Sequence, residues 1–121
     1  MKQKKTLVMG ASGNPTRYSY LALNRLIGAG HPVEAIGLKE ETVSGVKIHR
    51  TPQPFTGIDT VTLYLNPVRQ EEYYDYIIGL RPKRVVFNPG TENPEFYAML
   101  RAKGIEVEVA CTLVLLSVGQ Y

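Results

Sequence analysis

The chain has 121 residues, the length of one ordinary domain, so we expect a single domain over residues 1–121. Its 44% hydrophobic and 21% charged residues are typical of a folded globular protein and exclude a disordered or fibrous one. The longest nearly uninterrupted apolar stretch, residues 112–118, is too short to cross a bilayer. The lysine-rich start at residues 1–5 is followed by an apolar run that is too short for a secretory signal. We therefore expect a cytoplasmic protein without a membrane partner.

The net charge of +3 is unevenly distributed along the chain. Residues 1–60 hold eight Lys and Arg against four Asp and Glu, whereas residues 61–121 hold six against seven. Such an excess of positive charge in one half favours a small anionic ligand at least as well as a nucleic acid. The sequence has no Trp and none of the signatures of DNA- or RNA-binding modules, so we expect no nucleic-acid partner. Cys111 is the single cysteine, which excludes an internal disulfide and a cysteine-based zinc cage, and we expect no metal site.

Short apolar runs alternate with amphipathic segments, which is the pattern of parallel strands joined by helices. In chain order the pattern predicts a strand at 6–10, a helix at 19–29, a strand at 33–37, a short edge strand at 45–49, a strand at 61–65, a helix at 68–80, a strand at 84–87, a helix at 94–103 and a strand at 105–109. We predict a three-layer, doubly wound α/β domain with a five-stranded, mostly parallel sheet and a short additional edge strand.

Ligands of doubly wound folds bind at the carboxyl ends of the strands, where the strand order reverses beside the first strand. This rule selects the loops at residues 10–18, 38–40, 66–68 and 88–93. The first of them combines small and polar residues: Gly10, Ala11, Ser12, Gly13, Asn14, Pro15, Thr16, Arg17 and Tyr18. Small residues let backbone N–H groups approach phosphate oxygens, and the start of the following helix adds partial positive charge. The composition of this loop therefore favours phosphate binding.

Two further features limit which phosphate ligand is expected. The G-x-G-x-x-G pattern of dinucleotide sites is not met, because Ser12 and Pro15 occupy two of its positions, so a standard NAD site is disfavoured. Lys39 follows the second predicted strand, where NAD-binding folds place an acidic residue on the ribose hydroxyls. A lysine there suits a ribose phosphate, as in NADP or the 3′-phosphate of coenzyme A. Glu40 and Glu41 come slightly too late for a ribose contact.

The same order of features continues through the rest of the chain. After Gly10-Ala11-Ser12, Asn14-Pro15, Arg17-Tyr18-Ser19 and Lys39 come Gly45-Val46-Lys47-Ile48, Asn66-Pro67, Pro89-Gly90 with Asn93, and Cys111. In this combination residues 5–112 resemble the coenzyme A-binding domain family, small Rossmann-like proteins similar to the amino-terminal domain of the succinyl-CoA synthetase α subunit. The resemblance implies that the first loop holds the pyrophosphate of coenzyme A and that Lys39 meets its adenosine phosphate.

The resemblance also implies that the loops around Asn66-Pro67 and Asn88-Pro89-Gly90 bound the adenine and pantetheine portions. The cofactor-binding residues expected on this basis are Gly10, Ala11, Ser12, Asn14, Arg17, Tyr18, Lys39, Asn66, Pro67, Asn88, Pro89 and Gly90. We expect no catalytic residue, because the sequence holds no recognisable set of nucleophile, base or metal ligands.

Several chemically suggestive residues are expected to be structural. His31 lies in a turn at the end of the sheet opposite the cleft, and His49 lies on the edge strand without a nearby partner in sequence. Cys111 follows the last strand, from where a thiol could face the cleft, but packing is favoured. Three tyrosines at positions 73, 74 and 76 could stack on adenine or lie at a subunit interface, although core and rim packing is the commoner role. The apolar ending Leu113-Val114-Leu115-Leu116 requires cover, either from the sheet or from another subunit of a homo-oligomer.

The sequence thus predicts a protein that binds coenzyme A or an acyl-CoA in a cleft at the carboxyl ends of the strands, without catalysis of its own. An NADP-binding minimal oxidoreductase or redox sensor shares the fold and the role of Lys39, and it is the first alternative. The second alternative is a degenerate Rossmann-like module that binds another protein through its apolar carboxyl end.

Overall fold

The computed structural model describes residues 2–121, in which seven β-strands and five α-helices follow one another. The strands are β1 (Thr6–Ala11), β2 (Val33–Gly37), β3 (Glu41–Val43), β4 (Val46–His49), β5 (Thr60–Leu63), β6 (Arg84–Phe87) and β7 (Glu106–Val109). The helices are α1 (Tyr18–Gly28), α2 (Pro67–Gln70), α3 (Tyr74–Leu80), α4 (Pro94–Ala102) and α5 (Thr112–Ser117), with a 3₁₀ turn at Glu71–Tyr73 between α2 and α3.

All seven strands belong to one sheet, in the order β3-β4-β2-β1-β5-β6-β7. Strand β1 pairs in parallel with β2 on one side and with β5 on the other. The pairs β2–β4, β5–β6 and β6–β7 are also parallel, whereas β3 runs antiparallel to β4. The chain therefore builds the sheet outward from β1 in both directions, which leaves a crevice at the carboxyl end of β1. The predicted α/β, Rossmann-like fold with a mostly parallel sheet is confirmed.

The predicted number of strands is wrong, because the sheet has seven strands instead of five and an edge strand. The sequence pattern does not reveal β3, since three residues are too few to show an alternation of polar and apolar side chains. Ser44 and Gly45, with φ of 51° and 82°, form a tight turn that joins β3 to β4 as a hairpin. This hairpin brings Glu41, the first residue of β3, toward the cleft.

Side chains of β1 point alternately into two hydrophobic cores, one on each face of the sheet. Leu7 and Met9 belong to the core that also contains side chains of α3 and α4, whereas Val8 belongs to the core that contains side chains of α1. All three are completely buried, as expected for the central strand of a sheet covered on both faces.

The predicted helix at residues 68–80 is divided into α2, the 3₁₀ turn and α3. Asn66 begins α2, because its side-chain Oδ1 accepts a hydrogen bond from the backbone N–H of Arg69 at 2.9 Å. Pro67 takes the first helical position, where a missing N–H costs nothing. Tyr73, with φ of −107° and ψ of 0°, leaves the helical geometry before α3 begins.

The apolar segment at residues 112–118 forms the short helix α5. Leu115 and Leu116 pack against the core of the α1 face, so part of the cover required by this segment comes from the protein's own core. Val114 and Val118 remain exposed. None of the helices in the described part of the chain is long and apolar enough to span a bilayer.

Candidate functional site

A cleft with a volume of about 760 Å³ lies at the carboxyl ends of β1, β2 and β5, together with the loop after β6. This volume is in the range of small-molecule and cofactor sites. Ten of the twelve residues predicted from the sequence line it: Gly10, Ala11, Ser12, Asn14, Arg17, Tyr18, Lys39, Asn66, Pro89 and Gly90. The remaining two, Pro67 and Asn88, are not part of the lining. The topology therefore brings together loops that are far apart in sequence.

The end of β1 and the loop between β1 and α1 form one side of the cleft. Gly10 has φ of +87°, and a Cβ atom on it would lie 2.9 Å from the backbone carbonyl carbon and oxygen of Tyr64. Glycine is therefore required at position 10 both for this backbone conformation and for the close approach of the chain that leaves β5. Farther along, the Asn14 side chain accepts hydrogen bonds from the backbone N–H and the hydroxyl of Thr16. These contacts shape the turn that leads into α1.

The amino end of α1 has no side chain that caps its backbone N–H groups. Arg17 occupies the capping position in an extended conformation, and the first turn contains no acidic residue. Arg17 and Tyr18 are both exposed at the cleft. Uncapped N–H groups, the helix dipole and a neighbouring guanidinium together favour an anion at this position.

The wall beside β2 carries two residues of opposite charge. Lys39 is exposed and lines the cleft. Glu41 also lines the cleft, and its carboxylate Oε2 accepts a hydrogen bond from the backbone N–H of Gly13 at 3.2 Å. This contact was not predicted from the sequence, because it depends on the hairpin of β3 and β4. The only sequence signal for it is the acidic residue two positions after Lys39.

The wall beside β5 is formed by Tyr64, Leu65, Asn66, Arg69 and Tyr73. The side chain of Asn66 is engaged in capping α2, while Arg69 is exposed. Burial raises the pKa of Tyr73 above its ordinary value, with a further contribution from the nearby Glu72. Of the three adjacent tyrosines, Tyr73 is the one that lines this cleft.

The other two tyrosines of that group have packing roles. Tyr74 stacks on Phe96 with ring centroids 4.3 Å apart, and the Tyr76 hydroxyl donates a hydrogen bond to the backbone carbonyl of Gln53 at 2.6 Å. All three tyrosines pack against the hydrophobic core, as the sequence favours, and Tyr73 also lines the cleft.

Asn88 is buried behind the cleft wall instead of facing the ligand space. Its Nδ2 donates to Thr62 Oγ1 at 2.7 Å and to the backbone carbonyl of Leu63 at 2.9 Å. Its Oδ1 accepts from the backbone N–H of Thr112 at 2.8 Å. Asn88 thereby ties the carboxyl ends of β5 and β6 to the start of α5.

A buried glutamine, which the sequence does not single out, connects the two loops on this side of the cleft. Gln70 Nε2 donates to the backbone carbonyls of Leu65 and Thr91, each at 2.8 Å, and its Oε1 accepts from Asn93 Nδ2 at 2.9 Å. The side chain of Gln70 is completely buried. Because the Gln70 side chain is hydrogen-bonded to both the loop after β5 and the loop after β6, it fixes the positions of these loops relative to each other.

Tyr64 and Cys111 are neighbours at the same end of the sheet. The Tyr64 hydroxyl is buried and has no hydrogen-bond partner among residues 2–121, and burial together with the nearby Cys111 raises the pKa of Tyr64 well above its ordinary value. Cys111 is half-buried and is not part of the cleft lining. The two histidines lie elsewhere: His31 precedes β2 at the opposite end of the sheet, and His49 ends β4 with its ring against Phe55.

Comparison with known proteins connects this architecture to a family. No curated protein matches the chain. Among solved structures, an uncharacterized protein is 47% identical, with 100% of both chains covered and a TM-score of 0.97. A hypothetical protein from Pyrococcus horikoshii OT3 is 28% identical over 93% of this chain and 81% of its own, with a TM-score of 0.83.

A more distant structure, from Thermus thermophilus, is 23% identical over 98% of this chain and 91% of its own, with a TM-score of 0.86, and supports the fold alone. The sequence profile described as "CoA binding domain" matches residues 4–117, which is nearly the whole chain. The resemblance seen in the sequence is thereby confirmed, and the chain belongs to the CoA-binding domain family.

Proposed function

We propose that this protein binds coenzyme A or an acyl-CoA in the cleft at the carboxyl ends of the strands, as a binding protein without a catalytic step of its own. The observation that carries the proposal is that most of the loop at residues 10–18, including Arg17, lines the same cleft as Lys39. The family to which the chain belongs supports the identity of the ligand.

The expected arrangement follows the chemistry of the walls. The small residues of the first loop and the uncapped start of α1 suit the pyrophosphate. Lys39, on the β2 side, suits the phosphate on the adenosine ribose. The pantetheine arm then extends toward the β5 side, past Asn66 and the loop that carries Pro89 and Gly90. Asn88 and Pro67 support these loops from outside the lining.

The proposal is tested by isothermal titration calorimetry with coenzyme A and dephospho-coenzyme A. We expect Lys39→Ala to weaken coenzyme A binding about tenfold, the size of one lost charge-assisted hydrogen bond to phosphate, and to leave dephospho-coenzyme A nearly unchanged. Lys47→Ala is the matched control, because Lys47 is an exposed lysine of β4 outside the cleft lining.

Two results of the binding measurements would contradict the proposal. The first is an absence of binding to the wild-type protein at high micromolar coenzyme A. The second is tighter binding of NADP than of coenzyme A, which would favour the oxidoreductase alternative because Lys39 also suits the 2′-phosphate of NADP. Acetyl-CoA incubated with the protein is expected to be recovered intact. Release of free coenzyme A, detected by its thiol, would show a catalytic step and would contradict that part of the proposal.

A further inference from the structure

A carboxylate of the protein accepts a hydrogen bond from a backbone N–H of the loop that is proposed to bind phosphate. Glu41 Oε2 accepts a hydrogen bond from the N–H of Gly13 at 3.2 Å. A Cβ atom on Gly13 would collide with the Glu41 carboxylate, so a side chain at this position would push the carboxylate away. The contact thus depends on a glycine in the first loop and on the hairpin that carries Glu41.

Glu41 has no basic side chain as a partner in the described part of the chain. The ion pairs found there join Lys5 to Glu34, Lys83 to Asp59 and Arg84 to Glu108. Arg17, Lys39 and Arg69 line the same cleft as Glu41, but none lies within ion-pair distance of its carboxylate. Among residues 2–121, the hydrogen-bond partner of this carboxylate is therefore the backbone N–H of Gly13 in the first loop.

We infer that Glu41 is an internal anion that competes with the phosphate of the ligand for the Gly13 N–H. This inference rests on the proposed function, because it concerns the same loop. A backbone N–H that donates to a carboxylate in the free protein can donate to a phosphate oxygen only after the carboxylate moves away. The negative charge also repels a phosphate that approaches the neighbouring N–H groups. Glu41 therefore lowers the affinity of the cleft for phosphorylated ligands and selects those whose other contacts outweigh this cost.

The matched pair Glu41→Gln and Glu40→Gln separates this competition from a general change in charge. Glutamine at position 41 keeps an oxygen that can accept from Gly13, so the loop retains its support while the charge is removed. Glu40 is the adjacent exposed residue and lies outside the cleft lining. By calorimetry we expect Glu41→Gln to bind coenzyme A about fivefold to tenfold more tightly, the effect of removing one nearby like charge, and Glu40→Gln to change binding less than about twofold.

The reverse results overturn the inference. If Glu41→Gln binds coenzyme A more weakly, Glu41 contacts the ligand directly, for example at a ribose hydroxyl. If both variants change affinity equally, the effect is a general one of charge. If Glu41→Gln and Glu41→Ala leave affinity unchanged, the contact only supports the loop.

A second measurement does not depend on coenzyme A. In two-dimensional ¹H–¹⁵N NMR spectra, the Gly13 resonance reports directly on its N–H, and inorganic pyrophosphate serves as the probe. We expect pyrophosphate to shift this resonance at lower concentration in Glu41→Gln than in the wild type. If coenzyme A binds to neither protein but the Gly13 shift behaves as expected, the proposed function fails and the competition stands. If coenzyme A binds but the two proteins respond equally to pyrophosphate, the competition fails alone.

Discussion

Gly10 shows how strongly a single residue of the cleft is constrained by the fold. Its φ of +87° belongs to the left-handed region, and its Cα faces the backbone of Tyr64, the residue that directly follows the neighbouring strand β5. A side chain here would meet rigid backbone atoms, which cannot rotate away as a side chain could. The loop can therefore begin its turn immediately beside β5 only because this position has no Cβ.

We predict that Gly10→Ala lowers the free energy of unfolding by about 2 to 3 kcal/mol, because backbone strain and a steric clash act together. Gly79→Ala is the control: Gly79 lies within α3, and a Cβ there would meet nothing within 4 Å. This control should lose no stability, since alanine is the better helix former. Urea unfolding of both variants provides the measurement, and equal losses of stability would contradict the role assigned to Gly10.

At the scale of elements, Gln70 joins two loops that the sequence predicts only as separate pieces of the cleft. The residue ends α2, and its amide holds the backbone carbonyls of Leu65 and Thr91 in place. Because these carbonyls are buried, the loss of their donor leaves them without a partner. The position of the β5 wall relative to the β6 loop thus depends on one uncharged side chain.

We predict that Gln70→Met, which keeps a similar volume but removes the hydrogen bonds, costs about 2 to 3 kcal/mol of stability and weakens coenzyme A binding. Gln120→Met serves as control, since Gln120 is exposed and its substitution should change stability by less than about 0.5 kcal/mol. Urea unfolding gives the stability and calorimetry the affinity. A stable variant with unaltered binding would show that the two loops hold their positions without Gln70.

The elements that the sequence predicts are those with local signals. Strand β1, its glycine-containing turn and α1 are encoded by an apolar run, small residues and a helical repeat that are continuous in the chain. Strand β3 and the position of Glu41 depend instead on a three-residue pairing with β4. Likewise, the burial of Asn88 depends on partners in β5 and α5, about 25 residues away in either direction. The sequence therefore indicates which loops meet, but not which side chains remain free to face a ligand.

At the scale of the whole molecule, the two ends of the sheet have different roles. The carboxyl ends of the strands form the cleft, whereas the amino ends enclose a packed polar cluster. In that cluster the Tyr121 hydroxyl lies 2.6 Å from Thr6 Oγ1, the Arg84 guanidinium lies over the Tyr121 ring at 4.4 Å, and the His31 ring lies 5.0 Å from the same ring. Stability can therefore be tested at one end of the sheet without altering the ligand site at the other.

His31 is the group through which this cluster should respond to pH. It is 4% exposed, its Nδ1 accepts a hydrogen bond from the backbone N–H of Lys4 at 2.9 Å, and its Nε2 has no partner among residues 2–121. Burial, followed by the positive charges of Lys4 and Arg84, lowers the pKa of His31 below its ordinary value of 6.5, although Asp59 acts in the opposite direction. The folded protein therefore holds His31 neutral at pH values where the unfolded chain already takes up a proton.

The stabilising effect of a neutral His31 is complete above the unfolded-state pKa and decreases as the pH falls below about 6.5, because the unfolded state then binds more protons. For one group this slope cannot exceed about 1.4 kcal/mol per pH unit. We predict that His31→Gln, which retains a hydrogen-bond acceptor but does not titrate, loses less stability than the wild type between pH 7.5 and 5.5. Urea unfolding at both pH values measures the difference. Parallel losses in the two proteins would show that the carboxylates, and not His31, determine the acid sensitivity of the fold, since their protonation affects both proteins equally.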